Sequence, residues 1–232
     1  MRIARDRPLL CFIHSIRGGP PEMLAAARSL IEAGGEEWGM VDLVQVRGKD
    51  LPAAELEALA RVWIDALGRP RSTLVVVNDR LDVALAAGAD GVHLGRADLP
   101  PAEARSLAPR DFLIGVSAHD RPELGLAQRS EADYAGLGAF YPTRTKAGAA
   151  VLASGDAAWR MPVPELTIPV VAIGGIAAGR VPEVMALPAV TGIAVSEAIQ
   201  GAPDPAEAIR GLRSALDRAW RERQPEDPAE AP

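Results

Sequence analysis

Cysteine is nearly absent. Cys11 is the only one among 232 residues, which excludes an intramolecular disulfide framework and any cysteine-based zinc site. Cys11 itself reads as a small apolar residue of the first strand. Aromatic side chains are also few, 4% of the chain, and the formal net charge is −6. A mildly acidic chain poor in rings lacks the basic, aromatic-studded surface that binds nucleic acid, so no such partner is expected. No apolar run approaches the roughly 18–20 residues of a membrane span. The first such run, LLCFI, is shorter than the about 7–15 residues of a secretory h-region. The expectation is therefore a cytoplasmic protein with no membrane partner.

What the chain does have is alternation. Short β-rich runs recur between longer Ala/Leu-rich stretches. Strands are expected at 9–14, 40–46, 73–78, 90–94, 112–117, 132–138, 168–175 and 192–196. Helices are expected over 21–34, 53–67, 81–87, 100–107, 121–130, near 178–187 and over 204–220, with apolar residues at helical spacing. Gly34 suits a helix C-cap and Pro100 or Pro101 a first helical turn. The stretch 147–166 allows only a short helix, because Gly155, Pro162 and Pro164 interrupt it. Strict alternation implies parallel strands, and eight units in about 215 residues suit one closed (β/α)8 TIM barrel over residues 1–220. An open doubly wound sheet is the alternative, but it seldom uses eight short units. The final RERQPEDPAEAP, 221–232, is charged and proline-rich and reads as a flexible, disordered tail.

In a parallel barrel the ligand site lies where strands end. Strand 2 ends in Gln45-Val46-Arg47-Gly48-Lys49-Asp50, strand 3 in Asn78-Asp79-Arg80, and strand 4 in His93-Leu94-Gly95-Arg96-Ala97-Asp98. Strand 5 ends in Ser117-Ala118-His119-Asp120, and strand 6 runs into Tyr141-Pro142-Thr143-Arg144-Thr145-Lys146. Polar loops follow any strand, but cations, carboxylates and hydroxyls after five strands in succession point to a phosphorylated small-molecule substrate. Gly174-Gly175 after strand 7 would let backbone N–H groups approach an anion, with a helix N-terminus behind them; a tight turn would also want glycine there. Arg47, Lys49 and Lys146 are candidates to clamp a second charged group. Asp79 and Asp98 end adjacent strands. They either share one hard cation, Mg2+ being the natural choice, or cap the helices that follow.

The remaining candidates are less specific. His14 and His93 fit structural roles, whereas His119 stands at the mouth and is a candidate acid or base. Three histidines far apart make no zinc pattern. Thr143 and Thr145 are hydroxyl donors or parts of a simple Pro-Thr turn. The tryptophans at 38, 63, 159 and 220 lie on or near helices and read as packing.

The segments QVRGKD, NDR, ADGVHLGRADLP, IGVSAHD, ADYAGLGAFYPTRTK, IPVVAIGGI and GIAVSEAI, in this order and spacing, resemble the thiamine phosphate synthase and thiazole tautomerase family from about Gln45 to Ile199. The family fold is a (β/α)8 barrel. The resemblance implies a transferase of thiamine biosynthesis that joins a pyrimidine methyl diphosphate to a thiazole phosphate and releases pyrophosphate. It implies that Gln45, Arg47, Lys49, Asn78, Ser117 and Lys146 hold the pyrimidine and its diphosphate, with Lys49, Ser117 and Lys146 nearest the chemistry. Asp79 and Asp98 would ligate Mg2+. Thr143, Thr145 and Gly175 would hold the thiazole phosphate, helped by backbone amides after strand 8. The implied chemistry is dissociative, so it needs the leaving group's charge neutralised more than it needs a general base.

The chain departs from the family pattern at Arg96, where glutamine is usual, at Glu197, where serine is usual, and in its opening strand. Arg96 would add a cation beside the metal pair, and Glu197 would repel a phosphate if it faced the pocket. Two other readings follow. A thiazole tautomerase would use His119 and needs neither metal nor diphosphate clamp. A catalytically silent barrel would bind thiazole or thiamine phosphates without turnover. The intact set Lys49, Asp79, Asp98 and Lys146 favours the synthase. A homo-oligomer is possible in such a barrel, but its contacts would lie among ordinary outer-helix residues that the sequence does not mark.

Overall fold

Successive strands pair in parallel and the eighth returns to the first, closing a barrel in the order β1 to β8. The computed structural model describes residues 3, 6–16, 20–68, 72–143, 151–152 and 166–224. The strands are β1 (Leu9–Ser15), β2 (Leu43–Arg47), β3 (Leu74–Asn78), β4 (Gly91–Leu94), β5 (Leu113–Ala118), β6 (Tyr134–Gly138), β7 (Val170–Ile173) and β8 (Gly192–Val195). The helices are α1 (Pro20–Gly34), α2 (Ala53–Leu67), α3 (Leu81–Ala87), α4 (Pro101–Leu107), α5 (Arg121–Arg129), α6 (Val181–Met185), α7 (Glu197–Gln200) and α8 (Pro205–Arg223). Each expected strand is present. The helix considered within 147–166 falls largely outside the described residues. Among the described residues, no helix is long and apolar enough to cross a membrane.

Two cores follow from the two-residue period of a strand. Residues of one parity, such as Leu10, Phe12, Val44, Val75, Val77 and Ile114, face the helices. Those of the other, such as Leu9, Cys11, Ile13, Leu43, Val76 and Leu113, fill the barrel interior. Cys11 is one of these interior residues, and burial pushes its thiol pKa upward, so it is an inert packing group.

Three local expectations are modified. Gly34 does not end its helix in a left-handed cap; the chain passes on into a 3-10 turn over Gly35–Met40. The glycine is needed for close approach: a Cβ on Gly34 would lie 2.3 Å from Trp38 Nε1, an atom that donates to Ile31 O at 3.0 Å. Near 178–187 the chain forms a 3-10 turn, Ala178–Arg180, before the five-residue α6. The last helix runs past Trp220 to Arg223, because Arg223 donates to Pro188 O at 2.5 Å and Met185 O at 3.2 Å, giving this charged end a partner in the fold. Residues 225–232 of the expected tail lie outside the described residues.

The end opposite the mouth is locked by an ion network. Asp42, just before β2, accepts from Leu10 N at 2.8 Å and from Arg213 Nη1 at 3.1 Å, and Arg7 also pairs with it. Arg213, on α8, further donates to Pro8 O at 2.9 Å and to Asp217 at 2.5 Å. Both Asp42 and Arg213 are buried, and charges that deep persist only when paired and hydrogen-bonded. The network ties α8 to the first two strands.

Candidate active site at the barrel mouth

Inward parity turns from apolar to polar toward the strand ends. Along β2 the inward series is Leu43, Gln45, Arg47; along β3 it is Leu74, Val76, Asn78; along β5 it is Leu113, Gly115, Ser117. The mouth therefore receives an amide, a guanidinium, a second amide and a hydroxyl from neighbouring strands. Gln45 Nε2 donates to Asn78 Oδ1, and Asn78 Nδ2 donates to Asp79 Oδ1 at 3.3 Å, giving a chain of polar contacts from β2 across β3. Gln45 and Asn78 are buried, Arg47 is half-buried and Lys49 is exposed on the turn that follows.

Asp79 and Asp98 are neighbours. The charge of Asp98 bears on the Asp79 carboxyl, with Arg47 close by and Asn78 Nδ2 donating to Asp79 Oδ1 at 3.3 Å. Burial, and then the charge of Asp98, raise Asp79 from the ordinary carboxylate range to about 6, while Arg47 pulls it down. Neither residue caps a helix. The N-caps of α3 and α4 are Arg80 and Pro100, with no side-chain cap bond at either. Instead Asp98 Oδ2 accepts from Gly95 N at 2.6 Å, which folds the 95–98 turn around its own carboxylate. Asp79 sits at φ 67°, a left-handed conformation that aspartate tolerates better than most residues, with its N–H on His93 O at 2.8 Å. Two neighbouring carboxylates at adjacent strand ends could hold one hard cation; among the described residues no third His, Cys, Asp or Glu gathers with them.

The interior beneath Ser117 is built by residues that sequence reasoning left as structural. His93 Nε2 lies 3.1 Å from Ser117 Oγ, and His93 Nδ1 lies 3.1 Å from the Tyr134 hydroxyl. Gly115 makes room for this row, since a Cβ there would stand 2.1 Å from Tyr134 Cζ. Burial lowers His93 to about 4 and raises Tyr134, so the imidazole is neutral and the phenol protonated at neutral pH. The inward parity of His93 on β4 is the signal that marks it.

Further round the mouth, Thr143 is half-buried and Gly174 and Gly175 take φ of 97° and 62°. Ser196 continues the inward parity of Ala194 at the end of β8. Its Oγ is buried without a hydrogen-bond partner among the described residues. Thr145 and Lys146 lie outside the described residues, as does Arg144.

The departures from the family pattern have partners of their own. The Arg96 guanidinium pairs with Glu123 on α5, so it is engaged there rather than by Asp79 and Asp98. Glu197 is exposed and accepts from Gln200 Nε2 at 3.0 Å; Gln200 Oε1 in turn accepts from Ser15 N at 3.2 Å. His119 does not stand alone at the mouth: Glu123 Oε2 accepts its N–H at 2.7 Å and lies 3.0 Å from its Nδ1. Asp120 caps α5 by accepting from Glu123 N at 2.8 Å.

Comparison with known proteins gives the family. A family model described as thiamine monophosphate synthase matches residues 20–199, well over half of the chain. The thiamine-phosphate synthase of Methanospirillum hungatei is 45% identical over 190 residues, covering 82% of this chain and 91% of the relative. That of Azorhizobium caulinodans is 40% identical over 201 residues, covering 85% and 92%. Among solved structures, the thiamine phosphate pyrophosphorylase of Pyrococcus furiosus superposes with a TM-score of 0.73 at 33% identity, over 91% of this chain and 96% of that one. A 3-hexulose-6-phosphate synthase from Salmonella typhimurium, with a TM-score of 0.58 at 17% identity over 91% and 99%, shares the fold alone. With a matching family model and relatives of this identity and coverage, the chain belongs to the thiamine monophosphate synthase family.

Proposed function

We propose that the barrel mouth joins a pyrimidine methyl diphosphate to a thiazole phosphate, giving thiamine phosphate and pyrophosphate. Family membership makes the protein a thiamine-phosphate synthase, hence a transferase. The finer assignments are ours. The observation that carries them is the closeness of Asp79 to Asp98, Arg47 and Asn78, with Asn78 Nδ2 donating to Asp79 Oδ1 at 3.3 Å. Two neighbouring carboxylates repel one another and favour a cation between them, and the neighbouring cation and amide suit the oxygens of a diphosphate.

In this reading Gln45 and Asn78 orient the pyrimidine from the strand ends, and Arg47, Lys49 and Lys146 neutralise the diphosphate. Ser117 offers its hydroxyl from above His93. Asp79 and Asp98 would hold Mg2+, which when bound supplies positive charge to the departing diphosphate. The C–O bond to the diphosphate breaks, pyrophosphate leaves with the electron pair, and the thiazole nitrogen closes the new C–N bond on the pyrimidine methylene. No base is required, which agrees with a mouth where His93 is neutral and buried and His119 is engaged by Glu123. The thiazole phosphate sits against Thr143, Thr145, Gly175 and the backbone after β8. Ser196 Oγ is a ready donor there, because a buried hydroxyl without a partner is satisfied once a phosphate oxygen accepts from it.

The test is pyrophosphate release with both substrates, with and without Mg2+. Release that needs both substrates and the metal is expected. Folded protein that binds thiazole phosphate but releases no pyrophosphate would sink the reading.

A further inference from the structure

The segment leaving β6 and the turn leaving β7 are fastened together beyond the ends of their strands. The ladder continues, with Phe140 N donating to Ile173 O at 2.9 Å and Tyr141 N to Gly174 O at 3.1 Å. Gly175, at φ 62°, packs so closely on this segment that a Cβ would lie 2.6 Å from Pro142 O. Side chains then tie the outer surface. The Arg180 guanidinium lies over the Tyr141 ring, 4.2 Å from its centroid, and Arg180 Nη1 donates to Gly175 O at 2.5 Å. The Tyr141 hydroxyl donates to Glu183 Oε2 at 2.6 Å. One guanidinium thus touches both segments, and one ring is held on its face by Arg180 and at its hydroxyl by Glu183. Arg180 and Glu183 are exposed, while the Tyr141 ring is half-buried and also packs against the outer core.

We propose that Arg180, Tyr141 and Glu183 form a clasp that sets the spacing between Thr143 and Gly175, and that they are positioning residues for the thiazole phosphate. The inference rests on the reading of Thr143 and Gly175 as holders of that phosphate. An anion bound between two separate backbone segments depends on their separation, since its hydrogen bonds tolerate only a few tenths of an ångström. The clasp acts mainly on one substrate, because the diphosphate residues come from β2 to β5 apart from Lys146, three positions beyond Thr143 on the fastened segment. The diphosphate substrate is therefore the comparison, with the smaller change expected.

The experiment is steady-state kinetics on the full chain with each substrate varied in turn. Arg180→Ala is expected to raise KM for thiazole phosphate roughly tenfold, a change worth about 1.4 kcal/mol, while kcat and KM for the diphosphate substrate stay within about twofold. Tyr141→Phe keeps the ring under Arg180 and is expected to retain most of the affinity, whereas Tyr141→Leu is expected to match Arg180→Ala. The double variant Arg180→Ala/Tyr141→Leu is expected to be no worse than either single one, because both break the same contact. Losses that multiply in the double variant would overturn the clasp, as would equal increases in both KM values accompanied by a lower melting temperature. Thr143→Ala separates the two levels of the argument. If it weakens thiazole phosphate and Arg180→Ala does not, the clasp is wrong and the phosphate reading stands. If neither does, the phosphate reading has failed and the clasp falls with it.

Discussion

His93 Nε2 stands 3.1 Å from Ser117 Oγ, and Tyr134 holds the other side of the same imidazole. A neutral imidazole has one donor and one acceptor nitrogen, so the ring passes orientation from the phenol to the serine. His93→Leu is expected to lower stability by about 1–3 kcal/mol, since it leaves the Tyr134 hydroxyl buried without its partner. Ser117→Ala is expected to leave stability near wild type and lower kcat about tenfold or more, the loss of one well-placed donor. Urea unfolding and steady-state rates on both variants check this. Normal turnover in Ser117→Ala would remove the serine from the site.

Asp79→Asn tests the proposed metal role of Asp79 and Asp98. Asparagine accepts the left-handed backbone at φ 67° better than alanine, so the substitution adds little strain. Without the second carboxylate, Asp98 has no repulsive neighbour there, and stability without metal is expected to stay level or rise. Magnesium-dependent turnover is expected to fall by about a hundredfold or more. Chelating the metal from wild-type protein is expected to stop the reaction as well. Wild-type rates in Asp79→Asn would end the metal assignment.

Ser196→Ala tests the orphaned hydroxyl. In the free protein the alanine removes a polar group buried without a partner among the described residues, so melting temperature is expected to hold or rise slightly. With substrate, KM for thiazole phosphate is expected to rise about threefold to tenfold, the worth of a hydrogen bond to a charged group after discounting water. An unchanged KM would show that the hydroxyl does not reach the phosphate.

The parts legible in sequence are those written in local period. Alternating strands and amphipathic helices gave the barrel, and strand ends gave the group Gln45, Arg47, Asn78, Asp79, Asp98 and Ser117. The polarity switch along each inward series, as in Leu43, Gln45, Arg47, is itself a two-residue pattern. What stayed hidden depends on pairs with no local rule. Arg96 finds Glu123 27 positions away, and Tyr141 finds Glu183 42 positions away. Gly34 ends α1 as expected, but not in the left-handed conformation that favours glycine; its lack of a side chain accommodates Trp38.

His14 predicts the acid limb of stability. It is buried against Phe12 and Trp63 and accepts from Trp63 Nε1 at 2.9 Å through Nδ1, so that nitrogen carries no proton. Burial lowers its pKa from 6.5 to about 4. Between these values the unfolded chain binds a proton that the native one refuses, so stability is intact above about pH 6.5 and falls as pH drops toward 4. The expected loss from this residue on going from pH 7 to pH 5 is on the order of 2 kcal/mol. His14→Phe should flatten that slope in urea titrations at the two pH values. A slope equal to wild type would assign the acid sensitivity to other groups.

The Asp42–Arg213 network also bears on the order in which the chain is completed. During synthesis β1 and β2 emerge long before α8, and until Arg213 arrives Asp42 has only Arg7 and the Leu10 amide to answer its charge, while Pro8 O lacks its Arg213 donor. The first strands therefore leave the ribosome carrying an electrostatic debt addressed to a residue some 170 positions later. A chain truncated before α8 would leave Asp42 without Arg213 and Pro8 O without its donor, so the last helix is what completes the charge pairing of the first two strands.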